Sequence, residues 1–161
     1  MLFGQYHLRR PPTWLGGKRG QYFEGIGRSV AGHTTKIHMA CDAMGYPLPH
    51  FVLTGGEVHD SKPAITVISQ FPARAWCADR AYVDVDIRRF IERYGAEYVV
   101  PPKKNTKNPW EYDRDVYRTR HLIENCFQQL KEFRRIATRY EKRSRHFASM
   151  VSLASIMIHL F

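Results

Sequence analysis

The sequence predicts an α/β fold in a single domain, and three observations carry the prediction. Two β-leaning runs, TTKIHMACD and PLPHFVLT, stand on either side of a turn sequence. RAWCAD and AEYVVP flank an apolar helical period, and two helical stretches close the chain. With 161 residues, 43% hydrophobic content, nine Phe and nine Tyr, the chain can bury a core.

Residues 1–28 are rich in Gly, Arg and Pro and are read as an irregular segment, with GGKRG as linker. From His33 the pattern turns to strand, and Asp42 and Gly45 in DAMGY suit a tight turn, so the two runs pair antiparallel. GGEVHDSKP ends the sheet: Asp60 or Ser61 caps a short helix with Pro63 in its first turn and Ile65 and Ile68 inward. RAWCAD is a short buried strand that ends at Asp79. Val83, Ile87, Phe90, Ile91 and Tyr94 then recur at helical spacing, and Gly95 suits the position just past the helix end. Strand, helix and strand with short connections imply a parallel pair with a right-handed crossover.

PPKKNTKNPW is a basic loop between prolines. The stretch YRTRHLIENCFQQLK is read as one helix with Ile123, Phe127 and Leu130 on its apolar side and Tyr117, Arg120, Glu124 and Lys131 on one polar ridge. The last run, FASMVSLASIMIHLF, is interrupted by three serines and a histidine. It is too short to span a bilayer and is read as a buried helix.

Lys plus Arg number 25 against 15 acids, a formal charge of +10, which makes nucleic acid the leading partner. Cys41, Cys77 and Cys126 are odd in number, far apart and without a C-x-x-C pair. They support neither a disulfide framework nor a structural zinc site, and a reducing cytoplasm fits. Asp79, at the end of a buried strand, is by itself a helix cap; Glu124, beside Arg120 and Lys131, is by itself a surface ion pair. Together, a strand-end carboxylate and a helical one can hold a divalent metal ion, which needs hard oxygen ligands. His59 and Asp60 read as a strand-to-helix cap, and His33 and His38 as strand residues without metal-ligand spacing.

The spacing Tyr-x-x-Arg-x-x-x-Glu-x6-Lys, met by Tyr117, Arg120, Glu124 and Lys131, resembles the signature of bacterial insertion-sequence transposases with a DDE, ribonuclease H-like catalytic domain. GRSVAGHTTKIHMACDAMGYPLPHFVLTGGEVHDS, WCADRAY and LIENCFQQLKEFRRIATRYEK resemble that family's two-strand segment, second catalytic aspartate and glutamate helix. The resemblance implies a ribonuclease H-like mixed sheet flanked by helices, with residues 29–161 as the C-terminal part of the catalytic domain. It further implies Asp79 and Glu124 as catalytic, metal-holding acids, Mg²⁺ or Mn²⁺ as cofactor, and double-stranded DNA, at element ends and target, as partner. Homo-oligomer formation and a place in the bacterial cytoplasm, on the nucleoid when DNA is bound, belong to the same expectation. Tyr117, Arg120 and Lys131 would face DNA, joined by Lys103 and Lys104 of the basic loop and by the run Arg134, Arg135, Arg139, Lys142, Arg143 and Arg145.

The family's first acid sits on an upstream strand within a run like Asp-Ser-Thr followed by His-Gln-His, and this chain has no Asp before Asp42. The strand that bears it is therefore expected to be absent too. The genetic code allows another account. Gly4-Gln5 can be written GGA CAG, which contains GAC; Pro11-Pro12-Thr13-Trp14 can be written CCA CCA ACA TGG, which one base later reads His-Gln-His. Lys18-Arg19-Gly20 permits a slippery run at which two frames would join, making residues 1 to about 20 out of frame relative to the family. The expected function is metal-dependent cleavage and transfer of DNA strands at element ends, silent in this chain alone. The alternative is a noncatalytic DNA-binding fragment or regulator of transposition.

Overall fold

The computed structural model of the chain describes residues 1–9, 24–29 and 32–160. Six strands form one mixed sheet: β1 (Leu2–Arg9), β2 (Gly27–Ser29), β3 (Gly32–Cys41), β4 (Pro47–Gly55), β5 (Ala75–Cys77) and β6 (Glu97–Val99). The order is β2-β3-β1-β5-β6, with β4 also paired to β3. β3 runs antiparallel to β1 and β4, whereas β1, β5 and β6 are mutually parallel. The turn between β3 and β4 uses Gly45 at φ +92°, with the Asp42 carboxylate accepting from the Met44 and Tyr46 amides.

β1 corrects the expectation that the N-terminal segment is irregular and the sheet lacks a strand. Leu2–Arg9 pairs along its whole length with Cys41 to Thr34 of β3, and on its other side Leu2 lies opposite Cys77 of β5. The Cys77 amide donates to the Met1 carbonyl at 2.9 Å, so β1 pairs with strands on both of its sides. Side chains alternate: Leu2 and Leu8 enter one core, Phe3 the other. GGKRG and the rest of residues 10–23 lie outside the described residues.

The first core lies between the sheet and the helix His121–Glu132, and gathers Ile37, Met39, Cys77, Ile123, Phe127 and Phe147. The second lies beneath α1 (Ser61–Ile68) and α2 (Val85–Arg93), around Ala40, Val67, Trp76, Ile87 and Ile91. In α2 the Asp84 carboxylate accepts from the Asp86 and Ile87 amides. At the other end Gly95 takes φ +71°, its amide reaching Glu92 and that of Ala96 reaching Ile91. These bonds satisfy the last carbonyls of the helix as a Schellman ending does. Tyr94, expected inward, is exposed at this C-cap. β5, α2 and β6 form the expected parallel crossover unit.

Three further expectations are corrected. The stretch from Tyr117 to Lys131 is two helices, α3 (Arg114–Arg118) and α4 (His121–Glu132). At their junction the Arg120 amide bonds the Tyr117 carbonyl and the Ile123 amide bonds that of Arg120, i to i+3 bonds that tighten the turn. After the short α5 (Arg134–Ala137), the final helix α6 (Ser144–Leu160) is buried on one side only: Phe147, Val151 and Ala154 face the core, while Leu153, Ile156 and Leu160 are exposed. Asp60 precedes α1 but makes no side-chain capping bond; its carboxylate meets Lys36 instead. No described helix is long and apolar enough to cross a membrane.

Candidate functional site

The parallel strands β5 and β6 end level with each other, beside the first residues of β1, which runs on past them in the same direction. Asp79 follows β5 there, and the loop carrying Lys103 and Lys104 leaves β6 from the same end. Asp79 is half-buried, and its Oδ1 accepts from the Ala81 amide at 2.8 Å, capping the short 3₁₀ turn Arg80–Tyr82. The capping role expected of an isolated strand-end aspartate is thus realised. It occupies one carboxylate oxygen and leaves the group at the mouth of the sheet.

α4 lays Ile123, Cys126, Phe127 and Leu130 on the sheet and turns Glu124 outward. Arg120, one turn before, donates from Nη1 to Glu124 Oε1 at 2.9 Å. Burial works against the Arg120 charge, but Glu124, Tyr117 and Asp79 more than offset it and raise its pKa. Arg120 is therefore paired with Glu124, and the charge of Asp79 adds to the field that keeps it protonated. Lys131 is held differently: its ammonium lies over the Tyr6 ring of β1, 4.3 Å from the centroid. Tyr117 is half-buried, packed edge-on to Tyr112 with ring centroids 5.5 Å apart.

The basic residues divide sharply. Lys103, Lys104, Arg134, Arg135, Lys142, Arg143 and Arg145 are exposed, with Arg135 3.3 Å from Glu141. Arg139, expected with them on a DNA-facing run, is fully buried and corrects that reading. Its guanidinium donates to the carbonyls of Glu24, Glu141 and Lys142 and to Thr35 Oγ1, joining the segment before β2 to β3 and to the start of α6. A buried cation is tolerated only with such hydrogen bonding, so Arg139 holds the fold.

A second polar group on the opposite sheet face was not anticipated as a unit. Lys36 Nζ lies 2.7 Å from Asp60 Oδ1 and donates to the Val58 carbonyl at 2.7 Å; Gln5 Nε2 also donates to Asp60. Next to them His38 is fully buried, its Nε2 2.8 Å from Thr54 Oγ1, and burial pushes its pKa down to about 4. His33 is exposed, and His59 bonds Ser61 through Nδ1 at 2.9 Å. The three cysteines are buried free thiols, with burial raising their pKa values.

As they stand, the donors do not fit a divalent cation. Among the described residues no group of three or more His, Cys, Asp or Glu side chains gathers as a metal site, and the remaining residues contain none of these four types. One acid caps a backbone amide and the other is neutralised by Arg120.

The sequence of residues 16–159 matches the family model of the transposase DDE domain. The chain is 36% identical over 131 residues to a Brucella ovis protein named as the transposase for insertion sequence element IS6501; the match covers 79% of this chain and 98% of that one. It is 26% identical over 136 residues to a Burkholderia cepacia protein named for insertion sequence element IS402, covering 77% of this chain and 62% of that protein's length. A mixed sheet with an aspartate at the end of β5 and a glutamate on the helix that packs against β1 and β3 agrees with these matches: the chain belongs to the insertion-sequence transposases with a DDE transposase domain.

Proposed function

We propose that this chain is the DNA-handling C-terminal part of a transposase catalytic unit, with Asp79 and Glu124 as two of its catalytic acids. Members of this family promote DNA transposition with a divalent cation. The reading for this chain is carried by one observation: Asp79 stands at the carboxyl end of β5, and Glu124, paired with Arg120, rides on α4, which packs on the neighbouring strand β1 of the same sheet. Arg120 and Lys131 reach duplex phosphates, Tyr117 shapes the ledge between them, and Lys103, Lys104, Arg134 and Arg135 extend the basic surface. Residues 29–161 supply most of this unit, with β1 completing its sheet.

A specific observation favours the second reading, DNA binding without chemistry, for the chain made alone. Two acids, one of them paired with Arg120, fall short of a metal site. The chain alone therefore binds DNA and leaves it uncut. A chain whose upstream frame is fused near Gly20, restoring the Asp-Ser-Thr run, cuts element-end DNA with Mg²⁺ or Mn²⁺, and loses the cutting but keeps binding on Asp79→Asn or Glu124→Gln. Cutting that survives both substitutions would remove these two residues from the reaction.

A further inference from the structure

The chain has a strand where the sequence led us to expect none, and this moves the question from a missing strand to a missing side chain. Continuing the Leu2↔Cys77 register by two residues sets Gly4 beside Asp79. Strand alternation sends position 4 to the same face as Leu2, whose side chain packs in the core with Ile123 and Phe127. A Cβ on Gly4 would point at α4, 2.9 Å from Ile123 Cγ1 and 3.1 Å from Phe127 Cε2, next to the residue that precedes Glu124. Gln5, by contrast, projects to the opposite face, where it bonds Asp60.

We propose that Gly4 occupies the place of the third acid of the metal site, so that the chain lacks one carboxylate and no backbone. This deepens the reading of Asp79 and Glu124 given above and rests on it. The backbone does not ask for glycine at this point: among the described residues the glycines with positive φ are Gly25, Gly32, Gly45 and Gly95, and Gly4 is not among them. Glycine is instead the one residue without a Cβ to press on Ile123. The shifted reading of GGA CAG, made from codons with no reference to geometry, puts its aspartate at this same position.

The test measures metal binding and needs no cutting. Full-length chain, Gly4→Asp, Gly4→Asn and Gln5→Asp are titrated with Mn²⁺, free ion being followed by electron paramagnetic resonance and the folded state by circular dichroism. Gly4→Asp is expected to lower the Mn²⁺ Kd at least tenfold relative to the unmodified chain, and Asp79→Asn added to it to abolish that gain. Gly4→Asn and Gln5→Asp, neutral at the same place and charged on the wrong face, are expected to leave Kd unchanged. An equal gain from Gln5→Asp or Gly4→Asn, or none from a folded Gly4→Asp, overturns the assignment. Should the contact with Ile123 prevent folding, Gly4→Asp/Ile123→Ala gives the side chain room and is read by the same rule; a pair that both fail to fold also overturns it. Salt-dependent DNA binding by the unmodified chain is measured alongside. Binding kept with no metal gain sinks the Gly4 assignment alone, whereas absent binding sinks the DNA reading beneath it.

Discussion

Two of the cation–carboxylate pairs, Lys36–Asp60 and Arg120–Glu124, lie on opposite faces of one sheet, and their settings differ more than their chemistry. Lys36–Asp60 lies beneath the start of α1, with side chains 8% and 17% exposed. Arg120–Glu124 lies on the outer side of α4, with side chains 27% and 57% exposed. In the first, both charges have left water and each depends on the other; the Val58 carbonyl and Gln5 complete the set. In the second, water competes for both partners, so the pair adds little to stability and its members can change partners at small cost. A fixed pair suits a fold, and an exchangeable pair suits a surface that must release a cation to phosphate.

Breaking the buried pair should give the largest effect. Lys36→Ala leaves Asp60 charged and buried, and the unfolding free energy from urea titration is expected to fall by about 3 to 5 kcal/mol. Lys36→Met with Asp60→Leu removes both charges and should recover most of the loss; no recovery would mean that the pair was not the cause.

His38 sharpens the same contrast through pH. Its folded pKa, about 4, lies below the ordinary value of 6.5, so between these values the unfolded chain binds more protons than the folded one. Stability from this group is therefore complete above about pH 6.5 and lost as pH falls toward 4, by about 3 kcal/mol in all. Urea midpoints across that window should fall with pH in the wild type, and His38→Gln should flatten the slope.

Arg139 tests whether a basic residue in a run can belong to the first class. Arg139→Leu removes a donor from the carbonyls of Glu24, Gly25, Glu141 and Lys142 and from Thr35, and should destabilise by about 2 to 3 kcal/mol; in the fraction that stays folded, the salt slope of DNA binding should not change. A reduced slope at unchanged stability would put Arg139 back on the DNA surface.

The smallest stability effect belongs to the exchangeable pair. Arg120→Ala should change unfolding free energy by less than about 1 kcal/mol, yet lower the log-log salt slope of duplex binding by about 1, as the loss of one phosphate contact does. A larger stability loss with no change in slope would make Arg120 a structural cation like Lys36.

The sequence by itself determined the order of elements from β3 to β6, the parallel crossover around α2 and the spacing that marks Arg120, Glu124 and Lys131. These rest on local periodicity and on turn residues such as Gly45 and Gly95, whose backbone angles follow from their own chemistry. β1 was legible in part: Leu2, Tyr6 and Leu8 alternate with Gln5, His7 and Arg9, a period of two obscured by the Gly- and Pro-rich run that follows. Only the tertiary structure decided which cations are buried. Arg139 and Arg135 are four residues apart in one basic run, and what separates them is the carbonyls of Glu24 and the hydroxyl of Thr35, more than 100 residues away in sequence. It also decided that Leu2 pairs with Cys77 and that Gly4 faces α4, because strand register is a relation between distant segments and no local pattern contains it.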